Sequence, residues 1–195
     1  MEISPQQASE ALKDINTVGQ RTRDVAAYRT AAPILILWGV VWTVCFGVTH
    51  FSPHAAALAW LIGDVVGIAG TAVLGWILPR RGPVLSESAR KVGRRLGWFW
   101  FLLFLFADAW LAILWPWRAE QFGTFVVTLV MFAYVVMGLW LEMRFMTVLG
   151  VIGGALATGA YLASLSIPGQ LNLWLAIGGG GVLLASGIYL KVRWG

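Results

Sequence analysis

The chain has 195 residues, of which 59% are hydrophobic and only 12% are charged. Soluble domains carry about 25% charged residues, so this composition excludes an ordinary water-soluble domain. The net charge of +5 lies beside apolar runs, where it indicates the positive-inside bias of membrane proteins and not nucleic-acid binding.

Residues 1–30 are predicted to form an amphipathic helix on the cytoplasmic side. Its apolar residues recur at helical spacing, and they are Ala8, Ala11, Leu12, Ile15 and Val18. Because this stripe is narrow, we interpret the segment as a solvated helix that lies on the membrane face or runs into the first membrane helix. The alternative is a docking helix for a cytoplasmic protein partner.

Residues 31–195 contain six apolar runs, each long enough to cross a bilayer with roughly 20 residues. The predicted membrane helices are residues 32–50, 55–78, 96–115, 122–141, 145–167 and 173–190. The sequence therefore predicts an all-α integral membrane protein, in which six transmembrane helices form three hairpins.

A basic stretch, Pro79–Arg95, separates the second and third runs. It carries six of the 14 Lys and Arg residues, namely Arg80, Arg81, Arg90, Lys91, Arg94 and Arg95. Such segments stay in the cytoplasm and also contact anionic lipid headgroups. With this stretch inside, Arg118 is the single Lys or Arg on the outer side, so both termini are predicted to be cytoplasmic.

The three returning helices end with one shared pattern, G-x-x-L-x-x-R. It begins at Gly75, Gly138 and Gly187, and a proline stands in the external turn before each glycine. Three two-helix repeats of this kind resemble the HdeD-like family of small bacterial membrane proteins. The resemblance implies a multi-pass protein of the bacterial inner membrane with a link to acid stress.

Asp64 and Asp108 are the acidic residues within the apolar runs. At about 1.5 Å per residue, they lie roughly 15 Å and roughly 12 Å from the external ends of helices two and three. An ionisable residue at such depth costs about 2.5–3.5 kcal/mol and normally faces the bundle interior. We interpret the two as a protonatable pair that responds to protons or cations. The alternative is two neutral acids hydrogen-bonded to hydroxyl groups such as those of Thr128 or Tyr134.

His50 and His54 lie at the external mouth of the first hairpin, where they are candidates for pH sensing because histidine titrates near neutrality. Their spacing suits a metal ion only on a continuous helix, and Pro53 interrupts that helix, so no metal site is predicted. No cofactor is predicted either, since the apolar runs offer no axial ligand to a haem.

Gly67 in helix two, and Gly150 and Gly154 in helix five, are expected to permit close helix packing. For helix five, the expected neighbour is helix six of the same chain, and the alternative is a homo-oligomer face. Gly67 shares a helix face with Asp64 and Thr71, and that face suits either close packing or a narrow water path.

Two functions fit these features. Since motifs of hydrolases and metalloproteases are absent, the first is a non-enzymatic inner-membrane protein of the stress-related or accessory kind. The second is a small proton- or cation-linked transporter or channel that uses Asp64 and Asp108.

Overall fold

The computed structural model describes residues 5–77 and 87–194, with side chains described for Val25 and for residues 27–77 and 91–194. Within these ranges all the regular structure is helical. The helices are α1 (Pro5–Phe51), α2 (Ala56–Ile77), α3 (Glu87–Ile113), α4 (Ala119–Trp140), α5 (Arg144–Ser164), α6 (Leu171–Leu175) and α7 (Val182–Trp194). A π-helical segment, Ala176–Gly181, joins α6 to α7, so the last three pieces form one rod.

Six stretches in the described part of the chain are long and apolar enough to cross a membrane. They are Ala27–Phe51, Pro53–Ile77, Lys91–Ile113, Ala119–Trp140, Arg144–Ser164 and Leu171–Trp194. The prediction of an all-helical protein with six membrane-crossing segments is confirmed at this level.

Two helices are longer than the apolar runs from which they were predicted. α1 is one continuous helix of 47 residues, and its part Ala27–Phe51 is the first stretch long and apolar enough to cross a membrane. α3 begins at Glu87, nine residues before the predicted start at Leu96. Its first turns contain Ala, Arg and Lys, which are good helix formers, so helical structure extends into the predicted basic loop.

The core is built by α1, α4, α5 and the α6–α7 rod. Its largest fully buried side chains are Leu35, Val127, Met131, Leu175, Leu183 and Leu190. α2 packs on the outside of α1, and α3 reaches the bundle mainly through ring contacts of Phe99 with Trp140 and of Trp100 with Tyr134. Only 6% of the spans of α2 and α3 is buried, against 28–39% for the other four.

Glycines set the closest crossings between helices. A Cβ atom at Gly39 would collide with the backbone of Leu184 in α7, and one at Gly180 would lie 2.5 Å from the backbone nitrogen of Thr43 in α1. On the other side of the core, a Cβ at Gly150 in α5 would collide with the backbone of α4. Backbones that approach this closely are typical of membrane helix packing.

Helix five does contact the last rod, as predicted, but the closest crossing of its glycines is with α4. Gly150 packs on Met131 and Val135 of α4, and the nearest side chain to Gly154 is again Met131, at 3.7 Å. The glycine run of the last rod crosses α1 at Gly180, and it also reaches α5, because an added Cβ at Gly178 would lie 3.6 Å from Leu156. Helical spacing shows that one face of a helix consists of small residues, but it does not show which neighbouring helix packs on that face.

The three glycines of the G-x-x-L-x-x-R pattern do not have the same surroundings. Gly138 crosses the backbone of α5 at Thr147, and Gly187 crosses that of α1 at Ala32 and Ile36. Around Gly75, no described atom lies within 4 Å of an added Cβ. Two of the three glycines therefore form a tight crossing, and each crosses a helix outside its own predicted hairpin.

Candidate functional site

Asp64 and Asp108 both lie on exposed faces of their helices. Asp64 is in the middle of α2, flanked by the exposed residues Val65 and Val66. Asp108 is exposed near the C-terminal end of α3, although the preceding residue, Ala107, is buried. The structure thus places both acidic residues on exposed positions of helices that are long and apolar enough to cross a membrane.

The structure does not bring the two acids together. α2 packs on α1, α3 touches α4 through aromatic rings, and α2 and α3 do not pack closely on each other in the described part of the chain. Among the described residues, neither carboxyl group forms a hydrogen bond or an ion pair. The Thr128 hydroxyl donates instead to backbone oxygens of its own helix, at 2.9 and 3.0 Å.

The inner face of α2 is used for packing against α1. A Cβ at Gly67 would lie 2.7 Å from the ring of Trp38. The indole Nε1 of Trp38 donates to the Thr71 hydroxyl at 3.0 Å, and that hydroxyl donates to the Gly67 carbonyl oxygen at 2.7 Å. This part of the predicted small, polar face is therefore a hydrogen-bonded contact between α2 and α1.

Replacing Thr71 with valine should destabilise the fold by about 1–2 kcal/mol, because the Trp38 N–H then loses its acceptor inside the membrane. The free energy of unfolding is measured by titrating the micellar protein with sodium dodecyl sulfate. The matched control is Thr124→Val, whose exposed hydroxyl bonds only to Glu120 of its own helix. Equal losses in the two variants would show that the Trp38 contact contributes nothing.

The basic stretch is described only in part. Lys91, Arg94 and Arg95 are exposed on the first turns of α3. Arg80 and Arg81 lie outside the described residues, and so does the side chain of Arg90. The predicted roles of this stretch, in topology and in lipid contact, therefore rest on the sequence.

The two histidines lie at the turn between α1 and α2. His54 hydrogen-bonds to the Ser52 hydroxyl, and His50 stacks edge-on against Phe51 at 4.7 Å between ring centroids. Among the described residues, no three His, Cys, Asp or Glu side chains come close enough to hold a metal ion. The pH-sensing role stays a prediction.

The sequence analysis missed a groove between α1, α2 and α7, at the end of the bundle where α1 enters the membrane. It has a volume of about 600 Å³ and is lined by Arg29 and Lys191 together with apolar residues. An aromatic cluster of Tyr28, Phe145, Tyr189 and Trp194 lies at the same end. In the sequence, the only sign of this groove was that Arg29 lies just before the first apolar run and Lys191 lies just after the last one.

Comparison of the chain with protein-family models, with curated proteins and with solved structures found no match.

Proposed function

We propose that this chain is a non-enzymatic accessory protein of the bacterial inner membrane, and that it self-associates in the bilayer through α2 and α3. Both termini lie in the cytoplasm, an orientation supported by the distribution of Lys and Arg along the sequence. Membership of the HdeD-like family, with its link to acid stress, belongs to the same proposal. It is supported by the hairpin pattern in the sequence.

The observation that carries the proposal is the outward position of Asp64 and Asp108 on the two least buried spans. Exposed apolar side chains on these helices can face lipid without a free-energy cost. A carboxyl group at this depth is different, because facing lipid costs about 2.5–3.5 kcal/mol for each acid. A protein surface that covers both acids removes most of this cost.

A second copy of the chain is the partner that fits both acids. A neutral carboxyl group donates one hydrogen bond and accepts others, so two carboxyl groups satisfy each other. Asp64 and Asp108 lie at similar depth, roughly 15 Å and 12 Å from the same side. When α2 of one copy packs on α3 of the next, the two acids meet at the same level.

Photobleaching of a single dye per chain, in liposomes at very low protein-to-lipid ratio, tests self-association directly. Liposomes that hold one oligomer bleach in several steps, and the fraction of multi-step events should exceed the value for random co-capture. A membrane protein known to be monomeric, labelled in the same way, gives that random value. Single-step bleaching at every dilution would refute self-association.

The second candidate function is a small proton- or cation-linked transporter or channel. The observation in its favour is again the similar depth of the two acids, because an assembly that joins them forms a protonatable site between copies. Proteoliposomes with an internal pH dye should then show proton flux that Asp64→Asn and Asp108→Asn abolish. Flux that is absent from the wild type, under gradients of either sign, would exclude this function.

A further inference from the structure

We propose that the groove between α1, α2 and α7 is a binding site for one anionic phospholipid. Its headgroup phosphate lies between Arg29 and Lys191, and one acyl chain lies in the groove. The site is separate from the exposed faces of Asp64 and Asp108, so it does not depend on self-association.

The length of the groove fits a lipid chain in one leaflet. The lining residues of α1 run from Arg29 to Val40, which is roughly 16 Å along a helix axis. One leaflet of the hydrocarbon core is about 15 Å thick, half of the whole core. The groove therefore extends from headgroup level to the middle of the bilayer.

The chemistry of the lining changes along that length as it does in a phospholipid. Arg29 and Lys191 lie at the ends of their membrane spans, where headgroups are found. Deeper in the groove, the walls are apolar and consist of Pro33, Ile36, Leu37, Val40 and Leu74. The volume of about 600 Å³ lies within the usual range for ligand sites, about 300–1,000 Å³.

The two cations are available to a ligand. Both side chains are exposed, and among the described residues neither forms an ion pair. Two cations that converge on one groove favour a headgroup with net negative charge, such as phosphatidylglycerol, over the zwitterionic phosphatidylcholine. Tyr28 and Trp194 stack nearby at 5.9 Å between centroids, as expected for residues at the membrane–water interface.

The test is native mass spectrometry of the full chain, equilibrated with equimolar phosphatidylglycerol and phosphatidylcholine of identical acyl chains. We expect each wild-type chain to retain one lipid molecule, and we expect phosphatidylglycerol to be retained more often than phosphatidylcholine. In the double variant Arg29→Gln/Lys191→Gln, the ratio of retained phosphatidylglycerol to retained phosphatidylcholine should fall roughly tenfold. The control Arg118→Gln/Arg144→Gln, which removes two exposed cations outside the groove, should keep the wild-type ratio.

A second variant tests the groove itself. Val40 is 45% exposed, so Val40→Trp fills the groove without entering the core, and it should abolish lipid retention while the melting temperature stays unchanged. Equal preference in the wild type and the Arg29/Lys191 variant would overturn the proposal, and so would an equal loss in the control pair. If millimolar inorganic phosphate displaced the bound lipid, the site would be one for a free anion and the proposal would be wrong. If a photo-crosslinker at position 40 reacted with another copy of the chain, the groove would be a protein–protein contact and the proposal would also be wrong.

Discussion

Replacing Gly39 with alanine should destabilise the protein by about 1–3 kcal/mol, the usual cost of overpacking a well-packed interior. The added Cβ collides with the backbone of Leu184, and backbone atoms in a packed helix pair cannot move aside as a flexible side chain can. Unfolding in sodium dodecyl sulfate, followed by circular dichroism in micelles, measures the loss.

Gly47 provides the matched control in the same helix, because no described atom lies within 4 Å of an added Cβ there. Gly47→Ala should leave stability unchanged or raise it by up to about 1 kcal/mol, as alanine is the better helix former. If Gly39→Ala were as stable as Gly47→Ala, then α1 and α7 would not cross at Gly39.

Replacing Asp64 or Asp108 with leucine should weaken self-association in the bilayer. Interhelical polar contacts in membranes contribute about 0.6–2 kcal/mol each, so each variant should dissociate at a protein-to-lipid ratio roughly 3- to 30-fold higher. Förster transfer between labelled copies, measured while the liposomes are diluted with lipid, gives the midpoint. Asparagine keeps a donor and an acceptor, so Asp64→Asn should retain more of the association than Asp64→Leu.

The control for leucine at an exposed position of α2 is Val66→Leu, two residues from Asp64, which should associate like the wild type. The monomer fold should be intact in all the variants, because neither acid contacts another described residue through a hydrogen bond. If the double variant Asp64→Leu/Asp108→Leu associated as strongly as the wild type, the two acids would not contribute to the interface.

Hydrophobicity alone was sufficient to predict the six membrane-crossing segments. Apart from Asp64, Asp108 and a few hydroxyl residues, each run is apolar on every face, and a segment of that kind is stable only as a membrane span or in a large protein core. The start of α3 was placed too late, because charged residues that form helices well extend it before the apolar run begins.

The same uniform hydrophobicity concealed which face of each helix is buried. Asp64 was expected to face the bundle interior. Instead, the nearby glycines Gly63 and Gly67 lie on the face of α2 that packs against α1. Their missing side chains bring α1 onto that side and leave Asp64 at the margin, exposed. The groove at Arg29 and Lys191 was likewise hidden, because these residues are 162 positions apart in the chain and meet only when α1 packs on α7.

The most direct test of self-association through α2 and α3 is disulfide mapping between copies. Two chains with Cys45→Ala carry one cysteine each, at Ile68 of α2 in one and at Phe104 of α3 in the other. Each position lies about one turn deeper than the acid of its own helix. Oxidation of the co-reconstituted chains should link Ile68→Cys to Phe104→Cys and not to Ile152→Cys, an exposed position of α5. Equal linkage to both partners, or linkage to neither, would contradict an interface between α2 and α3.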